Sequence, residues 1–433
     1  MKIARAIVLA ALRSVRGGRV ELVERGAVHV LGPADAELSV TIHVHDPSVW
    51  RRCLRGSHGV AEAYLDGAWD CDDLVTLVRI GAREIPRLDP LRRAILPLRR
   101  VLERVPRNTR RAAPRHIGAH YDLGNELFAA FLDDTLSYSC ALFEEPGMTL
   151  GAAQEAKLER ICRELELSPD DHVLEIGSGW GSLAIHAAAR YGCRVTTTTI
   201  SREQRDLARA RVRAAGLEDR VTVLLQDYRD LRGRYDKLVS VEMIEAVGWQ
   251  YFDTFFRRCA ALLSPGGLML LQSITIDDRF YELEKAARSF ANTQVFPSGC
   301  LPSLPVIRRC AARAGLAELA AEDITDSYPP TLRRWRENFA AASERIAALG
   351  YDERFRRLWE LYLCWSEGGF LERRIEDHQL LLRRVKMRSD TASSSHAGPR
   401  EASFASASLP PGPSTSSSDR IAAMTLRAQS EAG

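Results

Sequence analysis

The residues with the clearest chemical potential surround one short apolar run. Val173–Ile176 breaks into a turn with glycines at 177, 179 and 181, and a helical pattern starts at Ser182. Glycines so spaced let the backbone turn sharply and approach a bound molecule closely. A carboxylate, Glu175, stands two residues before Gly177. Polar groups also end the next two apolar runs. Thr199-Ile200-Ser201 closes one, with Gln204 on the first turn of the following helix, and Gln226-Asp227-Tyr228 closes the other. Ligands of open α/β sheets lie at the carboxyl ends of the strands. The three sets therefore describe one cradle: Gly177, Gly179 and Gly181 make room, Thr199, Ile200 and Gln204 meet a ribose or ring, and Asp227 accepts an amino group.

A dinucleotide fingerprint would need glycine at 182, where the chain has Ser182. The closer glycine spacing fits the turn of S-adenosylmethionine methyltransferases, whose cofactor has no pyrophosphate. A tight strand-to-helix turn in another α/β enzyme is the plainer alternative.

The elements that must hold these groups are legible from periodicity. Helical spacing runs over Ala153–Leu167, Ser182–Tyr191, Arg202–Ala215 and Tyr251–Leu263, the last closed by Pro265-Gly266-Gly267. Strands are expected at Val173–Ile176, Arg194–Ile200, Val221–Leu225, Lys237–Val241 and Leu268–Ile276. Strands alternating with helices imply an α/β fold: a Rossmann-like, class I methyltransferase sheet with helices on both faces. Ahead of it, residues 1–114 mix short β-like runs (Val20–Val23, Ala27–Leu31, Leu38–His45) with helices, a smaller α+β domain associated with lipid or membrane. Residues 115–388 form the catalytic domain. Residues 389–433, rich in Ser, Ala and Pro, read as a disordered tail.

Composition narrows the function classes. A net charge of +3 argues against a nucleic-acid partner. Arginines nevertheless crowd Arg83–Arg115, and such a stretch suits anionic headgroups as well as a solvated helix face. No apolar run reaches the roughly 18–20 residues of a membrane span. Met1–Val15 reads as an amphipathic helix rather than a signal peptide. The nine scattered cysteines form no paired framework and suit a reducing compartment. No metal-binding spacing is present, so no metal is expected.

Further segments resemble the cyclopropane-fatty-acyl-phospholipid synthase family. They are His120-Tyr-Asp-Leu-Gly-Asn-Glu-Leu127, Leu136-Ser-Tyr-Ser-Cys-Ala-Leu-Phe143, Thr199–Gln204, Ser240-Val-Glu-Met-Ile-Glu-Ala-Val-Gly248, and Tyr328 with Thr331, Leu332 and Trp335. The likeness covers about Gly118 to Arg384, and Gly56–Asp73 resembles the family's amino-terminal domain. It implies that Tyr138, Ser139, Gly177, Gly179, Thr199, Ile200, Gln204, Gln226 and Asp227 contact S-adenosylmethionine. It also implies a bound bicarbonate as base, held by the Cys140 backbone, Glu245, the Ile274 backbone and the Tyr328 hydroxyl. A carboxyl beside an anion needs a proton, so Glu245 is expected to have a raised pKa. Many members have histidine where this chain has Gln272. An amide still donates and accepts but cannot titrate.

The implied reaction is attack of a carbon–carbon double bond on the sulfonium methyl, giving a carbocation that a base deprotonates. Proton loss with ring closure gives a cyclopropane; proton loss without it leaves a methylene branch, reducible to a methyl branch. The partner would be an unsaturated phospholipid acyl chain at the inner membrane face, met by a cytoplasmic, peripherally bound homodimer. A small-molecule methyltransferase and an idle lipid-binding protein of the same fold are the competing classes.

Overall fold

The computed structural model describes residues 2–87, 108–109, 123–285, 290–296 and 299–385. Most of the basic stretch, the segment His120–Asp122 and the Ser-rich tail lie outside the described residues.

A small sheet comes first. Strand β1 (Arg19–Glu24) buries Val20 and Leu22 on one face, the period-2 pattern of a strand on a core. It turns through Arg25 and Gly26, both at positive φ (51° and 81°), into β2 (Ala27–Leu31). Two left-handed residues are what a two-residue hairpin needs. β3 (Ser39–Val44) pairs parallel with β1, and β4 (Trp69–Cys71) closes the order β2-β1-β3-β4.

The second sheet carries the site. β5 (His172–Ile176), β6 (Arg194–Thr199), β7 (Val221–Leu225), β8 (Tyr235–Val241) and β9 (Leu263–Ile276) are parallel, and β10 (Leu316–Asp323) and β11 (Ile375–Arg384) complete it. The order is β10-β11-β9-β8-β5-β6-β7, with β11 antiparallel to both its neighbours. Successive residues alternate between two cores: Leu174, Leu238, Met269 and Leu271 face one, Val173, Val239, Leu268 and Leu270 the other. Such strands are covered on both faces, which is why they read as unbroken apolar runs. The crossover helix Arg202–Ala214 buries Gln204, Ala208 and Val212, a four-residue period, and Ser201 caps it by accepting from the Gln204 amide.

Two features differ from the sequence reading. β9 begins at Leu263, and Pro265-Gly266-Gly267 forms a bulge inside its pairing, with Tyr235 opposite Leu263 and Lys237 opposite Leu268. Strands β10 and β11 were not expected. β10 is exposed along most of its length, and in β11 the first residue, Ile375, is followed by Glu376-Asp377-His378-Gln379, a polar run that reads as loop.

Helix Glu353–Leu371 joins the two parts of the molecule. Tyr64 donates its hydroxyl to Glu360 (3.0 Å), and Arg357 donates to the carbonyls of Tyr64 (2.6 Å) and Trp69 (3.0 Å). At Gly368 a Cβ would stand 2.7 Å from Val78 Cγ1, so only glycine permits this approach. Among the described residues no helix is long and apolar enough to cross a membrane.

Candidate active site

The strand order reverses between β5 and β8, and a cavity opens there at the carboxyl ends of the strands. Its floor is the glycine turn. The Gly177 and Ser178 amides both donate to the Thr198 carbonyl (3.0 Å each), which pins the turn to β6. Gly179 has φ 48°, and a Cβ there would project into open space. Gly181 does not line the cavity; a Cβ there would press on Ala208 at 3.3 Å, so this glycine sets the packing of two helices.

Tyr138, Ser139, Glu175, Gly177, Gly179, Thr199, Ile200, Gln204, Gln226 and Asp227 all line the cavity. Thr199 donates to Gln204 Oε1 (2.8 Å) and so fixes that amide. Asp227 is engaged by Arg229, which donates Nε at 2.8 Å and Nη2 at 2.5 Å. Glu175 is buried, and its Oε2 has no partner among the described residues. Burial pushes its carboxyl up to about 8.

Behind this cradle lies a second constellation, centred on Glu242. Its Oε1 accepts from the Cys140 amide (2.8 Å) and the Gln272 amide (2.8 Å), and its Oε2 from the Tyr328 hydroxyl (2.5 Å). Glu242 also lines the cavity. Gln272 spans two carboxyls, donating to Asp377 Oδ2 as well (2.9 Å) and accepting from Gln379 (3.0 Å). This work suits an amide. Glu245 accepts from the Ile274 amide (2.6 Å) and the Ser273 hydroxyl (2.9 Å). Burial, then the charge of Glu242, holds its carboxyl up at about 8.

The electrostatics sort these groups. Burial drives Asp377 well above the carboxylate range, helped by Glu242 and Glu245, and it keeps its proton. Burial also raises the thiol of Cys140 far above its ordinary value, so it is no nucleophile. Burial raises the Glu242 carboxyl above its ordinary range, and the Tyr328 hydroxyl, the Cys140 amide and the charge of Lys157 pull against that rise. Lys157 is itself buried and donates to Ser139 Oγ (2.6 Å). Tyr138 donates to the Tyr362 hydroxyl (3.0 Å), and its ring lies 5.2 Å from that of Trp335. Trp335 and Trp359 are packing residues beside Phe131.

Cys140, Glu245, Gln272, Ile274 and Tyr328 thus come together, but Cys140, Gln272 and Tyr328 meet on Glu242 rather than on Glu245. Sequence reasoning missed Glu242, Lys157, Asp377 and Asn108. Glu242 lay in the quoted run Ser240–Gly248, three residues before Glu245. Lys157 was hidden in a helical pattern. Asn108, which donates to the Ala246 carbonyl (2.7 Å), gave no signal in sequence.

A glycine turn after β5, polar ends on β6 and β7, and an unpartnered buried carboxylate oxygen beside the turn fit the amino-acid, ribose and adenine parts of S-adenosylmethionine. Fold and site together define an S-adenosylmethionine-dependent, class I methyltransferase. Comparison with known proteins narrows the class. The model of the family described as mycolic acid cyclopropane synthetase matches residues 108–380. Tuberculostearic acid methyltransferase UfaA1 of Mycobacterium tuberculosis (strain ATCC 25618 / H37Rv) is 39% identical over 366 residues, 81% of this chain and 84% of that one. Cyclopropane-fatty-acyl-phospholipid synthase of Escherichia coli (strain K12) is 38% identical over 375 residues, 84% of this chain and 92% of that one. The structure of mycolic acid cyclopropane synthase CmaA1 complexed with SAH and CTAB is 30% identical, with a TM-score of 0.59 over 62% of this chain and 98% of that one. The chain belongs to the mycolic acid cyclopropane synthetase family, and it is a methyltransferase of lipid synthesis.

Proposed function

We propose that the protein transfers a methylene unit from S-adenosylmethionine to the cis double bond of an unsaturated phospholipid acyl chain and closes a cyclopropane ring. The observation that carries this reading is the Glu242 constellation, a proton-accepting carboxylate on the cavity wall beside the cofactor cradle, held by the buried residues Cys140, Gln272 and Tyr328. The cofactor, when bound, supplies a methyl made electrophilic by its sulfonium. The glycine turn, Thr199, Gln204 and Glu175 hold and orient it. Tyr138 lines the cavity and offers a ring that suits a passing positive charge on the acyl chain, and Trp335 and Tyr362 pack behind it and hold it in place.

Peripheral membrane contact fits the amino-terminal part. Helix Lys2–Arg13 leaves Ile3 and Ile7 exposed, β2 leaves Val28 and Val30 exposed, and an Arg5–His29 contact (3.1 Å) ties the two elements together. A second reading, a methylene- or methyl-branched product, draws support from the relative named for tuberculostearic acid. The two diverge at the carbocation. Loss of a methyl proton with bond closure gives the ring. A hydride shift from the methyl-bearing carbon before that loss gives the methylene branch, which a separate reductant would have to convert into a methyl branch.

The test is the fatty-acid profile, by gas chromatography with mass spectrometry, of a host that makes only ordinary unsaturated lipids and expresses this protein. A ring-bearing acyl chain heavier by one CH₂ supports the proposal. An exomethylene of the same mass supports the second reading. No new lipid, from a protein that binds the cofactor, removes both.

A further inference from the structure

The donors around Glu242 are already spent. The Cys140 amide, the Gln272 amide and the Tyr328 hydroxyl all point at one side-chain carboxylate that belongs to the chain itself. A small free anion such as bicarbonate would need these same donors. With Glu242 in place they do not fit it.

The backbone adds an independent observation. Glu242 sits at φ 46°, in the left-handed region that glycine enters freely and other residues enter at a cost. Strain of this kind persists where the surroundings over-determine the residue, and it clusters at functional sites. Here the amide of Glu242 is held by the Gln272 carbonyl (2.9 Å), and the strained conformation brings the carboxylate to its three donors. The neighbouring charges favour a single anion. Glu245, Asp377, Tyr328 and Lys157 face the cluster. Burial pushes Glu245 and Asp377 toward their protonated forms. It raises Glu242 and lowers Lys157 as well, but the Lys157 ammonium and the three donors favour the ionised form of Glu242.

We infer that Glu242 is the base of the reaction, a built-in carboxylate that takes the role expected of a bound bicarbonate. The inference rests on the methylene-transfer reading. The π pair of the double bond forms the new bond to the methyl carbon, and the carbon–sulfur bond breaks with its electrons moving to sulfur. A C–H bond of the added methyl then gives its electron pair to the second ring bond, and its proton goes to a Glu242 oxygen. Charge balances: sulfonium and carboxylate become thioether and carboxylic acid.

The experiment follows turnover of the full chain on vesicles of unsaturated phospholipid, in buffer stripped of carbon dioxide and with bicarbonate added back. Wild-type turnover should be the same in both. Glu242→Gly, which also relieves the left-handed strain, should lose roughly 10²-fold or more and recover in millimolar bicarbonate, because the anion then has both space and donors. Glu242→Gln should lose turnover and gain nothing from bicarbonate, since the amide still fills the place. Calorimetry with S-adenosylhomocysteine confirms that each variant folds. Carbon-13 bicarbonate NMR gives a readout free of turnover, with binding to Glu242→Gly and none to wild type. A wild type that binds bicarbonate or needs it for turnover overturns the inference and leaves methylene transfer standing. A wild type that makes no one-carbon-longer lipid overturns methylene transfer, and the base assignment with it.

Discussion

The hydroxyl of Tyr328 donates to Glu242 Oε2 at 2.5 Å across 86 residues of chain. The tyrosine stands at the start of its helix with its ring stacked on Phe370 (4.1 Å), so the hydroxyl is aimed by packing. Tyr328→Phe keeps the stack and deletes one donor. Turnover should fall by about 10–100-fold, with S-adenosylhomocysteine affinity within about twofold of wild type, since the loss falls on the chemical step. Single-turnover kinetics and calorimetry check this; unchanged turnover would detach Tyr328 from the chemistry.

Gly179→Val should abolish cofactor binding. Its φ of 48° is unfavourable for a β-branched residue, and the side chain would enter the cavity. Calorimetry reads the result, and normal affinity would move the cofactor elsewhere.

Lys157→Met removes the cation that favours an ionised Glu242. A carboxylate that loses a nearby positive charge holds its proton to higher pH. The acid limb of the kcat/KM profile should therefore shift alkaline. An unmoved limb would show that Glu242 does not govern it.

Stability should fall as pH rises. Glu175 and Glu245 give up protons near 4.5 when unfolded but only near 8 when folded. Between these values the unfolded chain binds fewer protons, so stability present below 4.5 is lost as pH approaches 8. Each group contributes a slope of up to about 1.4 kcal/mol per pH unit. Urea midpoints across this window should decline less steeply for Glu245→Gln than for wild type. Equal slopes would mean that Glu245 ionises normally.

Much of this site could be read from residues alone. Val173–Ile176 and its glycines announce a strand and a ligand turn because apolar periodicity and positive φ leave marks in residue type. Asp377 left none. Within its run Glu376–Gln379, Asp377, His378 and Gln379 are buried and bond to Gln272 and Thr275, and buried polar groups invert the pattern that betrays a strand. Glu242 was passed over for a related reason. An acid at a strand end reads as a turn residue, and only the converging donors from Cys140, Gln272 and Tyr328, remote in sequence, show otherwise.

Helix Glu353–Leu371 faces two ways. One side presents Tyr362 toward Tyr138, while Arg357, Glu360 and Gly368 on the same helix grip the amino-terminal part. A detachable module would dock through tolerant contacts. This one docks through a glycine with no room for a methyl group and through side chains that read backbone carbonyls. Exchange of the front of the molecule for that of a relative therefore has to bring this helix face along.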